Sequence, residues 1–130
     1  MIILLFSYGW VIEKIKDFLS REDITHQQYN ILRILRGAHP KPLSTLQIRE
    51  RMLDKMSDTS RIVDRLLLKA LVEKQTCPAD KRLVDITISE KGQALLMRLD
   101  EASAEMDAVL NNLSEEEAEQ LSGLLDKMRG

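Results

Sequence analysis

The feature that most constrains the fold of this chain is one change in the spacing of its apolar residues. In "LVDITIS", residues 83–89, apolar and polar side chains alternate, so that Val84, Ile86 and Ile88 share one face of a strand. "VEKQTC", residues 72–77, is a plausible antiparallel mate, with the turn at residues 78–81. Elsewhere the apolar spacing is helical. The pattern therefore predicts a mainly α chain with one small β-hairpin, an α+β class.

Helix starts are marked by pairs of residues with the spacing of capping boxes, in which two side chains satisfy each other's backbone N–H groups. These pairs are Thr25 with Gln28, Ser44 with Gln47, and Ser114 with Glu117. The first predicts a helix over residues 26–36, ended by Gly37 in a left-handed conformation. The second predicts a helix that ends near Leu53, and the third opens the last helix.

Two further helices complete the predicted order α-α-α-α-β-β-α-α. A fourth helix begins near residues 54–57 and runs through "SRIVDRLLLKALV". After the hairpin, Ser89 caps a long helix whose apolar positions continue to Leu113.

The first helix is apolar on two sides. Its main stripe is Leu4, Tyr8, Val11, Ile15 and Phe18, and Ile3, Phe6 and Trp10 lie off that stripe. This favours cover by a partner chain, although a buried core helix has the same pattern. Charges from Glu13 onward make the apolar run too short for a membrane span, so we expect no membrane association and a cytoplasmic protein. Met1 lies inside the apolar helix itself, so we expect either a short first helix or a start upstream of Met1.

Charge is distributed unevenly along the 130 residues, which fit one domain. Residues 40–91 hold eleven Lys and Arg against eight Asp and Glu, whereas residues 92–130 hold three against nine. A basic middle suits a polyanionic partner, but it is also compatible with ordinary solvated surface.

The residue types needed for catalysis or metal binding are sparse. Cys77 is the one cysteine, which excludes an internal disulfide and suits a reducing cytoplasm. The two histidines, His26 and His39, are too few and too badly placed for a metal site. The sequence has neither a nucleophile elbow nor a glycine-rich phosphate loop, so we expect no enzyme and no cofactor.

The fourth helix is the candidate for nucleic-acid recognition. A helical wheel directs Thr59, Ile62, Val63, Leu66, Leu67 and Ala70 inward. It directs Ser57, Ser60, Arg61, Asp64 and Leu68 outward, with Arg65 at the flank. Arginine matches guanine in the major groove and small hydroxyls allow close approach, although a solvated amphipathic helix has the same pattern.

Two motifs together resemble the MarR family of bacterial winged-helix regulators. One is "SRIVDRL" on the fourth helix, and the other is the family's wing signature, here Asp80, Arg82, Ile88, Ser89 and Gly92. "QQYNILRIL" resembles the family's second helix, and the similarity covers nearly the whole chain.

The resemblance implies a winged helix-turn-helix regulator that binds a pseudo-palindromic operator in double-stranded DNA as a homodimer. It implies a single domain over residues 1–130, with a dimerisation arm at 1–20 and 93–130 and a DNA-binding lobe at 24–92. The recognition helix, at about residues 57–71, would enter the major groove, and the wing at 78–83 the minor groove.

The wing tip carries the charged residues Asp80, Lys81 and Arg82. The resemblance implies that Arg82 enters the minor groove, whose negative potential attracts arginine, and that Asp80 holds its side chain. Lys81 would contact phosphate. The alternative is a surface ion pair worth about 0–1 kcal/mol.

Many members of the family respond to small aromatic or lipophilic molecules bound between arm and lobe. By position the candidate ligand-binding residues are Trp10, His26, Tyr29 and Arg33, unless these are plain core residues. Cys77 has two interpretations as well: an inert strand residue, or a thiol whose pKa is lowered by Lys74 and Arg82.

One alternative function belongs to another class. A winged-helix module that no longer binds DNA would use its apolar helices to assemble with other proteins. Asp58, Asp64 and the acidic pI of about 5.7 favour that alternative, whereas Arg61, Arg65 and the wing signature favour DNA.

Overall fold

A computed structural model of the chain describes residues 1–76 and 84–130. The described elements, in chain order, are α1 (Ile2–Ser20), α2 (His26–Ala38), β1 (Leu43–Ser44), α3 (Thr45–Arg51), α4 (Thr59–Leu68), β2 (Val72–Thr76), β3 (Val84–Ile88), α5 (Glu90–Glu101), α6 (Ser103–Asp107), a 3-10 turn (Ala108–Leu110) and α7 (Glu115–Arg129). The predicted class, mainly helical with a small antiparallel sheet, is confirmed.

The sheet has three antiparallel strands in the order β1-β3-β2. Val72 pairs with Ile88 and Thr76 with Val84, so the predicted hairpin pairing is confirmed; its turn at residues 78–81 lies outside the described residues. The third strand was not predicted, and it pairs Leu43 with Ile86. Its cause is local, because Ser44 caps α3 in an extended conformation that can also pair with a strand.

All three predicted capping boxes are present. The N–H of Gln28 donates to Thr25 Oγ1 and the N–H of Thr25 to Gln28 Oε1, both at 3.1 Å. The pairs Ser44–Gln47 and Ser114–Glu117 make the same two bonds at 2.9 to 3.1 Å. These helices therefore begin where their sequence predicts.

The predicted stop at Gly37 is wrong. α2 continues through Gly37 to Ala38 and is capped by His39, because glycine permits a left-handed conformation without requiring one. Left-handed φ values occur instead at two non-glycine residues of the described chain, Asp23 with φ of 53° and Ala70 with φ of 60°. Ala70 was predicted to face inward on α4, but it is exposed, because α4 ends at Leu68 and the chain must turn before β2.

The start of α4 also differs from the prediction of residues 54–57. The N–H of Ser57 donates to the carbonyl of Asp54, and the N–H of Met56 to the Asp54 carboxylate, which closes a turn. Asp58 then caps the helix by accepting from the N–H of Arg61 at 3.3 Å. Asp54 thus uses its acceptors in a turn rather than at a helix start.

The predicted long helix from Ser89 to Leu113 is interrupted. α5 ends at Glu101, Ala102 leaves helical geometry with φ −98° and ψ 11°, and α6 and the 3-10 turn follow. The interruption coincides with the loss of core contact, since α5 buries Leu95, Leu96 and Leu99 whereas α6 buries no residue. Helical spacing alone does not keep a helix continuous without packing.

The core is one apolar cluster drawn from the sheet and from helices α1 to α5, with Leu19, Ile31, Leu32, Ile48, Leu66 and Leu96 among its fully buried members. At its edge α5 comes very close to the turn after α4. A Cβ placed on Gly92 would lie 2.3 Å from the carbonyl oxygen of Leu71 and 2.8 Å from the side chain of Ile88. Only glycine fits at this contact.

Gly92 and Gly37 make a matched test of this packing. Gly92→Ala is expected to lower the free energy of unfolding by about 1–3 kcal/mol, because the backbone of Leu71 must move. Gly37→Ala meets nothing within 4 Å inside α2 and is expected to raise it by about 0.5–1 kcal/mol. Urea unfolding followed by circular dichroism measures both, and equal effects would contradict the close approach.

Candidate nucleic-acid interface and effector cavity

α4 presents a polar face to solvent. Its exposed side chains are Ser60, Arg61, Asp64, Arg65 and Leu68, while Thr59, Val63 and Leu66 are buried. The helix therefore lies with the predicted side outward. Ser57 differs from the prediction: it precedes the cap residue Asp58 and is half-buried, and its Oγ is buried with no hydrogen-bond partner among the described residues.

The chain turns at residues 69–71, directly after α4, and we call this segment the 69–71 turn. Side-chain hydrogen bonds hold it in place. Lys69 Nζ donates to the carbonyl of Asp23 at 2.5 Å and to Gln28 Oε1 at 3.2 Å. Ser89 Oγ donates to the carbonyl of Ala70 at 2.8 Å, and Lys91 Nζ to that of Lys69 at 2.9 Å. α4 is thereby attached to the start of α2 and to the start of α5.

The predicted wing-tip residues Asp80, Lys81 and Arg82 lie outside the described residues, as does Cys77. The two strands that lead to them are described as far as Thr76 and Val84, which pair with each other. Thr76 and Val84 therefore lie side by side at one end of the sheet. The roles of these residues stay predictions.

A cavity of about 420 Å³ lies between α1, α2 and the segment that follows α3. It is lined by Tyr8, Ile12, Ile15, His26, Gln27, Tyr29, Asn30, Arg33, Met52, Leu53, Asp54, Lys55 and Met106. Three of the four predicted ligand residues, His26, Tyr29 and Arg33, are therefore together. Trp10 is not in the lining, because Tyr8, Ile12 and Ile15 share a face of α1 from which Trp10 is turned away.

Inside this cavity apolar walls carry a few polar groups. The guanidinium of Arg33 lies 5.7 Å from the ring centre of Tyr29, within cation–π range. Burial lowers the pKa of His26, and the charge of Lys16 lowers it further, while Asp54 opposes the shift. Its Nδ1 is buried and has no hydrogen-bond partner in the described part of the chain. Such a site suits a small aromatic or lipophilic molecule with one polar end.

Sequence reasoning missed most of the cavity's apolar lining. Tyr8 and Ile15 lie on the predicted stripe of the first helix, but Ile12 does not, and Met52 and Met106 come from distant segments. Asp54 and Lys55 line it as well, although Asp54 was assigned to a helix start. No local pattern brings these segments together, so only the tertiary structure reveals them.

The two ends of the chain leave apolar side chains uncovered. On α1, Ile2, Ile3 and Phe6 are between 76% and 82% exposed, and α7 buries none of its residues. Ion pairs attach the neighbouring segments, with Arg98 to Glu22 at 2.9 Å and Arg21 to Glu105. Adjacent exposed apolar residues of this kind are typical of interaction surfaces.

The described residues include neither a helix that could span a membrane nor a cluster of metal-binding side chains. None of the helices there is long and apolar enough to cross a membrane. Across residues 1–76 and 84–130, no group of three or more His, Cys, Asp and Glu side chains is arranged to hold a metal ion.

Comparison with known proteins gives consistent matches. The model of the MarR family matches residues 24–84. The HTH-type transcriptional regulator MhqR of Bacillus subtilis (strain 168) is 27% identical over 128 residues, which cover 98% of this chain and 87% of MhqR.

Solved structures match over almost the full length. A MarR transcription factor from Planctomyces limnophilus is 30% identical, with a TM-score of 0.74 over 95% of this chain and 90% of that one. A mutant of MarR from E. coli, complexed with operator DNA, is 23% identical, with a TM-score of 0.86 over 97% of this chain and 90% of that one. The second match shows a shared fold.

The lowered pKa of His26 predicts a pH dependence of stability. Because the unfolded chain takes up this proton more readily, stability falls as pH drops through the ordinary histidine pKa of 6.5. We expect His26→Gln to weaken the loss of stability between about pH 7.5 and about pH 5.5, measured by thermal unfolding.

His39→Gln, which removes the other histidine, is the control and should leave the slope unchanged. Lower pH is avoided because the Arg partners of Glu22 and Glu105 lower the pKa values of those carboxyls, whose stabilisation is lost as they protonate. If stability changes with pH at the same slope in wild type and in His26→Gln, the pH dependence does not come from His26.

Proposed function

The chain belongs to the MarR family, and from that premise we propose that it is a transcriptional regulator that binds double-stranded DNA as a homodimer. Each subunit presents α4 to a major groove, with half-sites about one helical turn apart. Two-fold symmetry makes the operator a rough palindrome. This function is binding without a catalytic step, and its place is the cytoplasm.

The observation that carries the proposal is the exposed face of α4 together with its rigid attachment. Ser60, Arg61, Asp64 and Arg65 lie on that face, where arginine forks match guanine and small hydroxyls allow close approach. Both ends of the helix are fixed, by the Asp58 cap and by the 69–71 turn. A helix fixed in this way loses little freedom on binding. Ser57 contributes beside the cap rather than from the helix face.

The wing supplies the second contact. We assign Arg82 to the minor groove, Asp80 to holding its side chain, and Lys81 to phosphate, on the strength of the wing signature. The β2–β3 pairing supports this assignment because it brings the two ends of the segment together beside one end of the sheet.

The dimer forms through residues 1–20 and 93–130, and residues 24–92 form the DNA-binding lobe. Uncovered Ile2, Ile3 and Phe6 of α1 and the unburied α7 support this division. Full burial of each such side chain in an interface contributes about 1.5–3 kcal/mol to the free energy of association. A second copy of the chain is the partner that two-fold symmetry would supply.

The cavity beside α1 is the effector site of this proposal, and it takes a small aromatic or lipophilic molecule. It is lined by α1, which belongs to the arm, and by α2, which belongs to the lobe. A ligand there contacts both parts and favours one separation of the two lobes over another.

A second candidate function is a protein-interaction module, and one observation favours it. Leu68, at the C-terminal end of the outward face of α4, is 88% exposed, and Leu46 on α3 is 63% exposed. Asp58 and Asp64 are exposed near the same face and oppose a polyanion. Arg61 and Arg65 support DNA as the partner.

We expect an anisotropy titration with labelled genomic fragments, including the gene's own upstream region, to show tight and sequence-preferring binding. Affinity should fall steeply with salt as phosphate contacts release counterions. Arg61→Ala should cost about 1–3 kcal/mol and relax sequence preference, and Arg82→Ala should also weaken binding.

Arg51→Ala, on the far side of α3 from α4, is the matched control and should have little effect. If an intact dimer prefers no fragment at low salt, the interaction module becomes the better explanation.

For the effector we expect one or more small aromatic acids or phenols to lower operator affinity. Ile12→Trp, which fills the cavity, should abolish that effect without changing affinity in the compound's absence. Trp10→Leu, outside the cavity, is the control. Isothermal calorimetry measures binding of the compound, and anisotropy measures its effect on operator affinity. If the compound lowers the operator affinity of Ile12→Trp as much as that of the wild type, the effector site does not lie in this cavity.

A further inference from the structure

The segment that joins α1 to α2, residues 21–25, is bonded to the proposed dimerisation arm through two consecutive residues. We call this segment the α1–α2 turn. Arg21 pairs with Glu105 of α6. The guanidinium of Arg98 in α5 donates to both carboxylate oxygens of Glu22, at 3.0 and 2.9 Å. Because both partners lie in the proposed arm, a displacement of the arm acts directly on this turn.

The next residue of the α1–α2 turn, Asp23, is bonded to the end of α4. Its carbonyl oxygen accepts from Lys69 Nζ at 2.5 Å. Lys69 directly follows Leu68, the last residue of α4. Three consecutive residues of the turn therefore contact two elements of the arm and the end of the helix proposed to enter the major groove.

The same ammonium group also holds the start of α2. Lys69 Nζ donates to Gln28 Oε1 at 3.2 Å, and this oxygen accepts from the N–H of Thr25 as well, at 3.1 Å. Gln28 is only 4% exposed, whereas His26 and Tyr29 on either side of it line the effector cavity. One buried oxygen thus joins the first turn of α2, which forms part of the cavity, to the end of α4.

The backbone of Asp23 makes its contact with Lys69 sensitive to conformation. Asp23 has φ of 53°, a left-handed value that aspartate tolerates better than most residues but that still carries strain. Its N–H donates to the carbonyl of Ser20 at 3.1 Å, so it lies where α1 stops and the chain reverses. A backbone rotation that releases this reversal turns the Asp23 carbonyl away from Lys69.

We propose that Lys69 is a positioning residue that couples the orientation of α4 to the α1–α2 turn, and through that turn to the arm and to the effector cavity. The inference rests on the proposed function, because it concerns how that DNA-binding surface is held. Lys69 reads no base in this role. Base contacts need a precisely placed helix, whereas attraction to phosphates does not, so loss of the Lys69 contact lowers sequence preference before it lowers general affinity for DNA.

Lys69→Met and Lys91→Met make a matched test. Both remove one ammonium group that bonds the 69–71 turn, but Lys91 bonds it to α5 rather than to the α1–α2 turn. Both variants and the wild type are titrated, at several salt concentrations, against the best-bound genomic fragment, taken as the operator, and an unrelated duplex. We expect Lys69→Met to weaken operator binding about three- to thirtyfold more than Lys91→Met does. On the unrelated duplex the two variants should agree, and their salt slopes should be equal.

Lys69→Arg tests the same contact by rescue. Arginine keeps the charge and several N–H donors, so this variant should retain most of the sequence preference that Lys69→Met loses. Thermal unfolding of every variant checks that the fold is intact, and a loss of stability without a loss of sequence preference would overturn the positioning role.

Coupling to the arm is tested from its other end, with Glu22→Ala and Asp100→Ala. Each removes one carboxylate paired with an arginine, but the pair of Asp100 with Arg36 joins α5 to α2 without the α1–α2 turn. Relative to Asp100→Ala, we expect Glu22→Ala to weaken operator binding about threefold in the wild type and not at all in Lys69→Met. This comparison does not depend on the stability of Lys69→Met alone, because Glu22→Ala changes an exposed pair.

The outcomes separate the role of Lys69 from the proposed function. If the wild type binds no fragment, the proposed function fails and this inference fails with it. If the wild type binds but Lys69→Met loses no more than Lys91→Met, only the role of Lys69 is overturned. Equal losses on both duplexes, with a salt slope smaller by about one, would make Lys69 a phosphate contact and would overturn it as well. Additive effects of Glu22→Ala and Lys69→Met would overturn the coupling to the arm.

Discussion

The rest of the structure depends on the 69–71 turn, where three elements meet at close range. Gly92 lets α5 approach the carbonyl of Leu71, and the Ser89 hydroxyl donates to the adjacent carbonyl of Ala70 while also capping α5. Lys69 extends from the same turn to the start of α2. The end of α4, the departure of β2 and the direction of α5 are therefore set at one point.

The free energy of folding and the relative orientation of the helices come from different interactions. The apolar cluster that includes Leu32, Leu66 and Leu96 supplies the free energy of folding. The ion pairs of Arg98 with Glu22 and Arg36 with Asp100 lie on the surface, where solvent screening keeps their contribution to stability small. They join α5 to the end of α1 and to α2, and so help to fix the orientation of these helices.

Features encoded by neighbouring residues could be predicted from the sequence, and those set by distant contacts could not. Capping boxes and strand alternation are local. Thr25 and Ser44 were therefore sufficient to predict the starts of two helices, and the alternation in β3 was sufficient to predict a strand. The left-handed turn at Ala70 and the break at Ala102 depend on where other elements lie. The candidate site divides in the same way: the outward face of α4 follows from its periodicity, whereas Met52 and Met106 enter the cavity lining through tertiary packing.

The uncovered apolar face of α1 has a consequence for how the protein responds to its own concentration in a cell. On the proposed pairing of two copies through α1, a chain that exposes Ile2, Ile3 and Phe6 when alone would be stabilised by mass action as its own concentration rises. The population of paired chains would then grow faster than total synthesis. Occupancy of a palindromic site would then respond to expression with a threshold, without any ligand and without any change in the contacts to DNA.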